Sequence, residues 1–75
     1  MTTATESEWQ THAKNVLKGE LKRNGVSYTD LVAKLEAIGV HENERNIANK
    51  ISRGGFTAVF LLQCLKAIGV DSLRV

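Results

Sequence analysis

The six residues LEAIGV at positions 35–40 return almost unchanged as LKAIGV at positions 65–70. In each copy a glycine stands four places after a leucine and directly before a valine. That is the pattern of a Schellman helix stop. The glycine adopts the left-handed conformation just past the helix end, and Leu35 meets Val40 as Leu65 meets Val70. The residues flanking the two copies share nothing, so the phrase reads as a helix stop used twice rather than as an internal repeat. A chain with no proline, rich in Leu, Ala, Lys and Glu and stopped by glycine, is thereby steered toward a bundle of short helices.

The remaining punctuation divides the chain into four helices. Residues 1–6 read as a loose polar tail, and residues 7–75 as one small domain. From residue 7 or 8 to residue 24, Trp9, Ala13, Val16, Leu17 and Leu21 fall three and four apart, the stripe of an amphipathic helix ended by Gly25. Gly19 lies inside that helix and weakens it. Ser27 caps the second helix, with Asp30 placed to complete a capping box, and Leu31, Leu35 and Ile38 carry its inner face. A third helix over residues 43–53 turns Ile47, Ala48 and Ile51 inward and ends at Gly54-Gly55. Thr57 caps a fourth over residues 58–68. Val59, Phe60, Leu61, Leu62, Cys64, Leu65 and Ile68 make it apolar almost all round, which predicts the buried centre of the bundle. Trp9 is expected to close one end of the bundle or to serve a dimer contact.

Composition removes several function classes. A 75-residue chain buries only about 60% of its unfolded surface, so its core is thin. The single cysteine, Cys64, excludes an internal disulfide and suits a reducing cytoplasm; on the apolar fourth helix it reads as a packing residue. No apolar run approaches the roughly 18 residues of a membrane span, and the polar, mildly acidic MTTATESEW is unlike a signal or transit peptide. The expectation is a cytoplasmic protein. His12 and His41 lie far apart, with no carboxylate or cysteine at metal-ligand spacing. RGG at 53–55 is a helix stop and not a phosphate-cradling loop. No enzyme, metal or cofactor is expected, and no small-molecule ligand is evident.

The third helix carries the functional signal. Opposite its apolar side stand Asn43, Arg45, Asn46, Asn49, Lys50 and Arg53. Arginine forks onto guanine, asparagine pairs with adenine, and lysine meets phosphate. Three asparagines in one short helix cost helix stability, which reads as a demand for the amides themselves; an ordinary solvated face is the plainer alternative. Lys14, Lys18 and Lys22 recur every fourth residue on the first helix beside Arg23, which makes either a phosphate-facing stripe or a solvated face. Helix starts at Ser27-Tyr28-Thr29 and Gly55-Phe56-Thr57 offer backbone N–H groups of the kind that hold phosphates.

The segments SYTDLVAKLEAIGV, NKISRG and LLQCLKAIGV together resemble the phage-repressor-like helix-turn-helix superfamily over roughly residues 17–70. NKISRGGF and FLLQCLKAIGV are more closely similar to a small bacterial family of single-domain proteins of uncharacterised function. The spacing from Leu31 to Gly54 exceeds the repressor pattern by about six residues, which shifts the start of the reading helix and leaves NKISRG aligned. The first resemblance implies a compact all-α bundle of four main helices that binds double-stranded DNA as a transcriptional regulator, with residues 43–53 in the major groove. Arg45, Asn46 and Asn49 would then contact bases, Lys50 and Arg53 bases or phosphate, and Lys22, Tyr28, Thr29 and Thr57 the backbone. A homodimer on half-sites about 34 Å apart would supply specificity, through the tail DSLRV or the Trp9 region. The alternative is an antitoxin-like or other protein–protein module on the same fold. A formal charge of +2 and the acids Glu42 and Glu44 favour it.

Overall fold

The computed structural model describes residues 5–75 and contains four helices: α1 Glu6–Arg23, α2 Tyr28–Ala37, α3 Glu44–Arg53 and α4 Ala58–Ala67. Among the described residues there is no strand, and the domain is all-α. Helix α1 begins at Glu6 with Thr5 as its cap, so it takes up the last two residues of the expected tail. The first four residues of that tail lie outside the described residues.

Each helix start is capped by a side chain of its own. Thr5, Ser27, Asn43 and Thr57 accept hydrogen bonds from the backbone N–H groups of Glu8, Asp30, Asn46 and Phe60, which would otherwise have no intrahelical partner. At α2 the capping box is complete. Asp30 in turn accepts from the Ser27 N–H at 3.1 Å, and those bonds hold its carboxyl below the ordinary aspartate range.

The helix stops repeat one geometry. The Val40 N–H donates to Leu35 O and the Gly39 N–H to Glu36 O; Val70 and Gly69 do the same to Leu65 and Lys66. The 6→1 and 5→2 bonds of a Schellman motif are therefore present in both copies of the phrase. A third copy, less obvious in sequence, ends α1: Val26 donates to Leu21 O and Gly25 to Lys22 O. Gly54 ends α3 differently. It is also left-handed, at φ +68°, but it is buried against α1, and a side chain there would overlap the Gln10 carbonyl.

The core draws on all four helices. Leu17, Leu31, Leu35, Ile47, Ile51 and Cys64 are fully buried, with Leu21, Phe60 and Leu65 nearly so. Helix α3 packs on both α1 and α2, and α2 also packs on α4. Three expectations fail here. Helix α4 is not the buried centre, because Val59 and Leu62 are each 64% exposed; so small a bundle has too few elements to surround a helix. Trp9 is 60% exposed and closes nothing: it lies edge-on to His12, whose Nε2 is 2.8 Å from the Val75 carbonyl oxygen. Ile38, expected on the inner face of α2, is 43% exposed because the helix has already ended there and the chain is turning away.

Candidate nucleic-acid interface

Helix α3 is strongly two-sided. Ile47 and Ile51, one turn apart, anchor it in the core, and Ala48 is half-buried beside them. Arg45, Asn46, Asn49, Lys50, Ser52 and Arg53 are exposed. Placement on the outside is a direct result of spacing, since positions three and four apart share a face. The side chains of Arg45, Asn46, Asn49 and Arg53 have no hydrogen-bonding or ionic partner among the described residues, where the ion pairs are Arg23–Glu20 and Lys50–Glu42. An unpaired arginine can present its full fork of donors, and an unpaired asparagine both a donor and an acceptor.

Two members of the expected strip have intramolecular work. Asn43 uses its side-chain oxygen as the α3 cap, 2.8 Å from the Asn46 N–H. Lys50 donates to both carboxylate oxygens of Glu42, at 3.0 and 2.8 Å, and its ammonium lies 4.9 Å from the centre of the Phe60 ring. Lys50 is thus tied to the turn before α3 and to α4. Nothing in the sequence pattern signals this: the pair is eight residues apart across a helix start. Glu44, at the other side of that start, accepts a hydrogen bond from the Thr29 hydroxyl at 3.0 Å. Both acids therefore brace α3 from within.

The expected backbone contacts divide in the same way. Lys22 is exposed and shares a shallow depression with Lys18, Ser27 and the half-buried Tyr28, where α1 ends and α2 begins. Burial pushes the Tyr28 hydroxyl above the ordinary tyrosine range. Thr29 is held by Glu44, and Thr57 caps α4. A second depression joins Lys50 and Arg53 to Gln10 of α1 and to Gly55 and Phe56 of the α3–α4 link. In the lysine stripe of α1, Arg23 pairs with the buried Glu20 at 2.8 Å, so it is not a free cation.

Cys64 is fully buried, and burial, with the charge of Glu42, pushes its thiol up to about 12. Such a thiol is a poor nucleophile and metal ligand. Among the described residues no three His, Cys, Asp or Glu side chains gather as a metal site, and no helix is long and apolar enough to cross a membrane.

Among the described residues, fold and face together define a small all-α domain of four capped helices, with Arg45, Asn46, Asn49 and Arg53 of α3 exposed and without side-chain partners. The chain belongs to the family described as "Domain of unknown function (DUF6471)", whose model matches residues 9–73. No curated protein and no solved structure matches it.

Proposed function

We propose that the chain binds double-stranded DNA as a small transcriptional regulator, with α3 in the major groove. One observation carries the reading: Arg45, Asn46, Asn49 and Arg53 form an exposed strip on one helix, with no side-chain partner among the described residues. A helix with its side chains is about 10–12 Å across, and the major groove about 12 Å wide. These four side chains carry the donors and acceptors that distinguish guanine and adenine there. Lys22, Tyr28 and the N–H groups at the starts of α2 and α4 are suited to hold the phosphates on either side. The sequence resemblance of SYTDLVAKLEAIGV, NKISRG and LLQCLKAIGV to phage-repressor-like helix-turn-helix proteins supports the same reading.

Anisotropy titration of labelled genomic duplex fragments at low and moderate salt tests the proposal. Wild-type protein should bind at low salt and weaken steeply as salt rises. Asn49→Ala with Arg53→Ala should abolish binding at an unchanged melting temperature. Absence of binding at low salt sinks it. The second reading is a protein-interaction module, and exposed Val59 and Leu62 on α4 favour it.

A further inference from the structure

Helix α4 carries more apolar surface than the domain covers. It packs on α2, while Val59 and Leu62, three positions apart, are exposed. Leu61, Leu62 and Leu65 line an open groove together with Val70 and Leu73 of the following segment. Lys66 and Asp71 also line that groove, one cation and one anion. Neither takes part in an ion pair among the described residues.

An apolar strip edged by both signs of charge is complementary to itself. A two-fold rotation sets a patch against its own copy, so that a residue at one position meets a residue at another and the contact occurs twice. A patch edged by one sign alone would repel its copy. We propose that the outward face of α4 is a self-association surface. Two copies of this chain pack α4 against α4 about a two-fold axis near Leu62, with Val59 of each over the groove of the other. Lys66 of each copy then meets Asp71 of the other. The inference stands on this patch and does not depend on duplex binding.

Sedimentation equilibrium without DNA, at chain concentrations up to about 1 mM, reads the result directly. The mass should rise from 8.2 kDa toward twice that value. Leu62→Glu should hold it at the single-chain mass with an unchanged melting temperature, since Leu62 is exposed. Lys66→Glu and Asp71→Lys should each weaken self-association about tenfold by opposing like charges. Mixed with each other, those two variants should associate, because both charge contacts become attractive. A single-chain mass at every concentration overturns the proposal. So does a dimer indifferent to Leu62→Glu, which would place the contact elsewhere, for instance around Trp9. A mixture that pairs no better than its components removes the two-fold assignment. Failure of any arm leaves the duplex titration to be judged on its own, and a dimer without duplex binding does the reverse.

Discussion

Single residues in this domain differ sharply in what they tolerate, and glycine shows it best. Gly39 and Gly54 are both left-handed, at φ +83° and +68°, yet a side chain at Gly39 meets open space and one at Gly54 meets the backbone of α1. Gly39→Val should cost about 1–2 kcal/mol from backbone strain alone. Gly54→Ala should cost clearly more in urea midpoint, because α1 and α3 must also separate; equal losses would remove the close-contact explanation. Gly19 is the opposite case. It is helical, and an added methyl meets nothing nearer than the Arg23 guanidinium at 3.9 Å, so Gly19→Ala should stabilise by about 0.5–1 kcal/mol. Cys64 makes stability depend on alkali. Its thiol titrates at about 12 in the fold against an ordinary 9.0, so above pH 9 the unfolded chain gives up a proton that the folded chain keeps. Stability is then fully present below that pH and falls as pH rises toward 12. Tyr28 acts in the same direction. A urea-midpoint series in Cys64→Ala should show a shallower fall.

At the level of elements, α3 is held at its start by side chains that sequence reading assigned outward. Asn43→Ala should cost about 1 kcal/mol as a lost cap. Lys50→Ala, which removes the Glu42 pair and the Phe60 contact, should lower the melting temperature, whereas Asn49→Ala and Arg53→Ala should stay within about 0.5 kcal/mol of wild type. Calorimetry of the four variants separates bracing from display, and a costly Asn49→Ala would show that the strip is structural. Helix ends were legible because they are local: a cap reaches three residues and a Schellman stop six, so Ser27, Thr57 and the two valine-ended phrases could be read directly. The Glu42–Lys50 and Thr29–Glu44 bonds depend on how α2 and α3 come together, which no short window contains. The exposure of Val59, Leu62 and Trp9 was hidden for a related reason. Hydrophobic periodicity tells which side chains prefer burial, and only packing decides which of them find cover.

For the whole molecule the balance of charge is the main physical question. A net +2 on the chain gives little long-range attraction to a polyanion, so the proposed duplex binding must draw its affinity from a few close contacts. With Arg53 and Lys22 on phosphates, log affinity against log salt should fall with a slope of about −0.9 per contact, roughly −2 per chain; a flat response would reject phosphate binding. The all-α class and the four helices were readable from the sequence, while the order of burial among the helices was not. Helix α3 bridges α1 and α2 through Ile47 and Ile51, and on its other side Arg45, Asn46, Asn49 and Arg53 are exposed with no side-chain partner among the described residues. Mutation can therefore rewrite Arg45, Asn46, Asn49 and Arg53 freely while the scaffold stays intact. Under the proposed duplex binding, relatives with different targets should diverge there and keep the two isoleucines, so that new specificity arises by exchange of a few outward letters with no refolding required.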